Sequence, residues 1–242
     1  MLIAARQIRG CSIEGTDGGL GKVKDLLFDR ESWRIRYLDV DTGGWLPGRH
    51  VILSPEVIQY ADYAAQRLRT RLTPEQVENS PSLESHLPLS RKYEIETAQY
   101  FAWEAYWAHV EPAAEEPEAG IDANLFNIQA VCRYQIETAD GKIGHVDDFI
   151  IDDGALDGVP WEIRYLAVDT RHWFPGRQVL VPPIWAESID FSTRRVHMEM
   201  DRETINNSPE YDPHSPVNCQ WEEVCHDYYG RPTSSREASY SA

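Results

Sequence analysis

Along the first half of the chain, apolar positions fall in short runs of four to eight residues broken by turn residues. GKVKDLLFD from Gly21 sets Val23 and Leu27 among charged residues. RIRYLDVD from Arg34 alternates Ile35, Tyr37 and Asp39 against Arg36, Leu38 and Val40. Both patterns predict strands of a small barrel. HVILS from His50, VIQYAD from Val57 and QRLRTRL from Gln66 predict three more, and DGGLG from Asp17 supplies the glycines of a hairpin. The pattern then changes. TPEQVENSP from Thr73 offers a capping Thr, a Pro at the first helical position and early acidic residues, which predicts a short helix closed before Pro81. SRKYEIETAQYFAWEAYW from Ser90 predicts a longer helix whose Tyr93, Tyr100, Phe101 and Trp107 clamp onto a barrel mouth. About six closely spaced strands suggest closure, which removes exposed edges.

The second half repeats this text. WRIRYLDVDTGGWLPGR from Trp33 and WEIRYLAVDTRHWFPGR from Trp161 agree at 12 of 17 positions. Upstream, Asp17, Gly18, Gly21, Val23, Asp25 and Asp29 meet Asp140, Gly141, Gly144, Val146, Asp148 and Asp152; downstream, Asn79, Ser80 and Pro81 meet Asn207, Ser208 and Pro209. A unit this long exceeds a solenoid repeat and indicates two copies of a whole small domain. We place the first copy with its trailing helix at 1–110, an acidic Pro/Ala connector at 111–120, the second copy at 121–230, and a polar, flexible tail at 231–242.

The pattern G-K-V-x-D-L-L-F-D, then W-x-I-R-Y-L-x-V-D-T, then W-x-P-G-R resembles the PRC-barrel domain. That family includes the cytoplasmic part of the photosynthetic reaction-centre H subunit and the C-terminal domain of a ribosome-maturation factor. The resemblance covers both halves, so it implies a mainly β chain of two small PRC-type β-barrels in tandem, each followed by short helical segments. Such modules dock onto other proteins, and fold alone does not settle function. The H subunit's membrane helix and the ribosome factor's N-terminal barrel have no counterpart here.

Charge narrows the partners. The chain carries 40 acidic and 23 basic residues, a formal net charge of -17, which disfavours direct contact with nucleic acid. No run of about 18 apolar residues exists, so no spanning helix is expected. MLIAARQIRG is too short and too charged for a signal's apolar region, and a cytoplasmic location is the expectation. The four cysteines do not repeat with the copies, which argues for reduced, incidental thiols.

Chemistry-bearing patterns are sparse. CHDYYG from Cys225 lacks the second ligand pair of a zinc site, and the Asp/Gly-rich insertion from Asp152 to Pro160 lacks the alternating ligands of a calcium loop. His145 faces Lys22 and is not repeated. We expect no catalytic residue, no cofactor and no metal. Asp41 and Asp169 read as turn caps, with Arg49 and Arg177 pairing to carboxylates across the hairpin; the alternative is an arginine that binds an anion in a pocket. Trp45 and Trp173 read as core or barrel-rim residues rather than ligand platforms. The trailing aromatics, among them Trp103, Trp107, Tyr228 and Tyr229, exceed what one small domain hides and mark a contact. The expected function is non-enzymatic docking or assembly on a protein partner, with the two halves packed as an intramolecular pseudo-dimer. Alternatives are a peripheral factor touching a photosynthetic or other membrane electron-transfer complex, and a small-anion sensor with its site between the barrels.

Overall fold

The computed structural model describes residues 1–81, 89, 91–105, 125–154, 160–170, 177–215, 217 and 219–230. The proposed connector, the tail, Trp107 and Trp173 lie outside them. The architecture is mainly β, in two seven-stranded sheets that repeat each other element for element.

In the first sheet the order is β5 (His50–Leu53), β4 (Ile35–Asp41), β3 (Gly19–Asp29), β2 (Ser12–Glu14), β7 (Arg67–Thr70), β6 (Ile58–Asp62). The second runs β12 (Gln178–Val181), β11 (Glu162–Asp169), β10 (Gly141–Asp152), β9 (Gln135–Thr138), β14 (Arg195–Met198), β13 (Ala186–Asp190). β2 runs parallel to β7 and β9 to β14, while β2–β3, β4–β5, β6–β7, β9–β10, β10–β11, β11–β12 and β13–β14 run antiparallel. The expected closed barrel is not formed: β5 and β6 end the first ladder, β12 and β13 the second. The cause is local. Between β5 and β6 the chain makes a 3-10 turn at Pro55–Val57, where Pro55 brings no N–H and Ser54 caps the turn through Glu56 N. The second repeat makes the equivalent 3-10 turn at Pro183–Trp185, where Pro182 stands in place of Ser54 and no side chain caps it.

The seventh strand of each sheet comes from the other repeat. β1 (Leu2–Ala4) pairs antiparallel with β10, Leu2 opposite Asp152 and Ala4 opposite Ile150, while β8 (Leu125–Asn127) pairs with β3. The crossovers are α1 (Ala5–Ile8) and α4 (Ile128–Val131). The compact units therefore cut across the repeats. One comprises Ile8–Asp29 with Arg36–Phe126; the other comprises Met1–Gln7, Arg30–Ile35 and the chain from Asn127 onward.

Strands β4 and β11 are buried on both faces instead of alternating. All eight residues of β11 are buried, as are Tyr37 and Asp39 of β4. On one side of the first sheet Leu38, Val40, Val51 and Leu53 fill the interior. On the other, Leu27, Tyr37, Ile52, Leu89 and Leu125 form a further apolar cluster, roofed by Tyr93 of α3 (Arg91–Phe101) and by Trp103. A sheet covered twice reads as continuous hydrophobicity. In the second unit α6 (Cys219–Tyr229) makes the corresponding roof: Trp221 meets Tyr165 edge-on at 5.6 Å and Arg164 pairs with Glu222 at 3.3 Å.

Gly21 and Gly144 match for a steric reason. A Cβ on either would run into the backbone carbonyl of Asp41 or Asp169 across the next strand. The first short helix begins as its text predicts, and its counterpart in the second repeat begins on an Asp cap. Thr73 and Gln76 close a reciprocal capping box on α2 (Pro74–Glu78), and Asp201 accepts from Thr204 N at 2.7 Å on α5 (Arg202–Asn207).

Candidate docking site

The first repeat's long helix is shorter than its pattern implies. It stops at Phe101 because Ala102 takes the left-handed conformation (φ 53°), with Ala102 N donating to Gln99 O and Trp103 N to Ala98 O at 2.9 Å. This Schellman geometry folds Trp103 back beneath the helix end. Its indole stacks on Phe101 at 4.5 Å and 11°, and Phe101 in turn meets Tyr100 edge-on at 4.8 Å. Tyr100 donates its hydroxyl to Gln76 O at 2.9 Å, which ties α3 to α2.

These aromatics enclose a cavity of about 380 Å³, lined also by Val57, Arg71, Leu72 and Gln76. Arg71 is exposed at its mouth and Leu72 is buried. The result is a recess of mixed character, lined by aromatic and aliphatic side chains together with one cation and one amide. Such a recess takes up a flat or aliphatic side chain and orients an acidic neighbour. The sequence pattern found the aromatics and missed Arg71, Val57 and Leu72. One signal was present: Arg71 aligns with Glu199 and Val57 with Trp185, so the lining does not repeat.

The helix tie does repeat. Tyr228 donates to Thr204 O at 2.7 Å, the counterpart of Tyr100 on Gln76, and meets Tyr229 edge-on at 5.0 Å. Tyr229 is 8% exposed and donates to Leu180 O at 2.8 Å, so it roofs the sheet and offers no platform. Burial raises its hydroxyl pKa well above the ordinary value.

Arg49 and Arg177 face inward, and their partners correct the expectation of cross-hairpin carboxylates. The Arg49 guanidinium donates to Ser80 O just past α2, and Arg177 donates through Nε and Nη2 to Asn206 O within α5, at 2.9 Å for Nε. The Asn206 carbonyl is one that the end of α5 leaves without an intrahelical donor, and both guanidiniums lie by a helix C-terminus, where the dipole favours a cation. Asp41 does cap its turn, accepting from Gly43 N at 2.8 Å. Trp45 lies at the rim: it is 38% exposed, with its indole N–H on Leu20 O at 3.3 Å.

His145, Asp147 and Asp169 bring one ligand atom each to within 4.8 Å of one another, a grouping hidden from the sequence because three separated positions converge on β10 and β11. Asp147 is already engaged, by Arg6 at 3.3 Å and Gln178 Nε2 at 3.1 Å. Arg6 also reaches Asp148 at 2.6 Å. Burial raises the Asp148 carboxyl pKa, and the Arg6 cation only partly offsets that. Cys11, Cys132 and Cys225 are thiols outside any disulfide, and burial pushes the thiol pKa of Cys11 and of Cys225 up. Among the described residues no helix is long and apolar enough to cross a membrane.

No curated protein matches the chain. Residues 1–77, from β1 through the first turn of α2, match the family model of the PRC-barrel domain, and the second sheet repeats that strand order. Over residues 1–77 the first repeat is thus similar to PRC-barrel domains.

Proposed function

We propose that this protein is a non-enzymatic docking module of the cytoplasm that holds another protein through the aromatic recess of its first repeat. The observation that carries the reading is the stacked Phe101–Trp103 pair over a 380 Å³ cavity with Arg71 at its mouth. A recess that combines aromatic side chains with a cation suits a partner segment carrying an aromatic or aliphatic side chain next to a carboxylate, since aromatic and Arg residues dominate contact energies. Arg49 and Arg177 are occupied by carbonyls. That favours docking over anion sensing.

The test is affinity capture from native cytoplasm with the parent, Arg71→Glu and Trp103→Ala. Arg71 is exposed, so Arg71→Glu should leave the melting temperature within the usual surface range of about ±0.5 kcal/mol in stability. It should also lose the captured protein. Retention of the same partner by both variants rejects the recess as the docking site.

A further inference from the structure

The exchanged strands carry an inference independent of the recess. β1 contributes to β10 not only its ladder but buried side chains: Ile3 and Ala4 are at most 8% exposed. Arg6, the next residue but one, grips Asp148 through Nε at 2.6 Å and through its own backbone N–H. In the other unit Leu125 and Phe126 are equally buried, and Phe126 lies 5.8 Å from Phe28. The loan is reciprocal and uses equivalent segments.

A second observation has the same symmetry. Arg34 bridges Glu162, Ile35 N donates to Trp161 O and Ile163 N donates to Trp33 O, both at 2.8 Å. Arg34 and Glu162 hold the same place in the repeated phrase, as do Trp33 and Trp161, and Ile35 and Ile163. Antiparallel pairing of equivalent positions is what a two-fold, self-complementary contact between two copies produces.

We propose that the barrel repeat of this protein is a strand-exchanging self-association module whose partner is a second copy of itself, supplied here by the other repeat of the same chain. Neither sheet is complete without the opposite repeat, so the connector between the repeats serves to raise their local concentration and is not what holds them together.

The experiment uses the full chain with residues 111–120 replaced by a protease recognition sequence, cut after folding. The cut protein should elute as the uncut one does, and native mass spectrometry should find one of each fragment in the complex, down to about nanomolar concentration. Two fragments that elute apart, folded or melted, overturn the proposal. Leu2→Cys with Asp152→Cys, two positions directly opposed in the ladder, gives a second readout. Oxidised and then cut, this variant should run as one band without reductant and as two bands with it, unlike either single variant. Separate bands in both lanes, or a covalent species of twice the chain mass, likewise overturn it.

Discussion

At the scale of the residue, the two copies test each other. Ala102 holds a left-handed backbone that costs an L side chain about 1–2 kcal/mol, and the second copy places Gly230 (φ 62°) at the same point. Ala102→Gly should therefore stabilise the first unit by up to about 1 kcal/mol in urea unfolding; a loss of stability would mean that the Ala methyl is packed. Gly144→Ala runs the other way. Its Cβ meets a main-chain carbonyl that cannot rotate aside, so the cost is expected at about 1–3 kcal/mol.

Asp148 carries a pH signature. Its carboxyl pKa is raised, chiefly by burial, so between its unfolded and folded values the native state binds more protons and stability falls as pH rises. Exposed Asp140 is held down to about 2 by hydrogen bonds from Thr138 and Arg202, and contributes the opposite slope only at lower pH. Asp148→Asn should remove the decline that sets in above the ordinary aspartate range while costing about 1–3 kcal/mol for the lost Arg6 pairing. Urea midpoints measured against pH for both proteins decide this, and parallel curves would reject it.

At the scale of the element, the ties between helices and sheets are polar and specific. Arg177→Met gives up two donations to Asn206 O and should destabilise the second unit by about 1–3 kcal/mol, with no change in its response to added phosphate. A phosphate-dependent rise in melting temperature of the parent, absent from the variant, would restore the anion-pocket reading. What could be read in the text divides along the same line. Local signals reported local structure faithfully: the capping Thr73, the Pro at the helix start, the turn glycines and the strand runs are all where the chain puts them. The α3 end was not legible, because an Ala in the left-handed region carries no mark in sequence. Nor was the two-sided burial of Tyr37 and Asp39, since Asp39 looks polar until His50 Nδ1 at 3.1 Å and Lys24 at 4.0 Å are seen beside it. Of the recess, the aromatics could be read and Arg71 could not, since its role depends on where Trp103 folds back.

At the scale of the whole molecule, repetition showed that there are two copies and hid how they are built. Self-similarity gives equal halves, whereas the compact units borrow β1, β8 and the Arg30–Ile35 turn across that division. A strand exchanged between equivalent sites leaves every local pattern unchanged, so no window of sequence can register it. The exchange also imposes an order on synthesis. Leu2–Ala4 is synthesised about 150 residues before Ile150–Asp152, the segment that completes its ladder. At about 5–20 residues per second that is a wait of about 8–30 s with an apolar strand unpaired. Neither sheet can finish during translation of the first repeat, because each takes a strand that pairs only once the second repeat has been made.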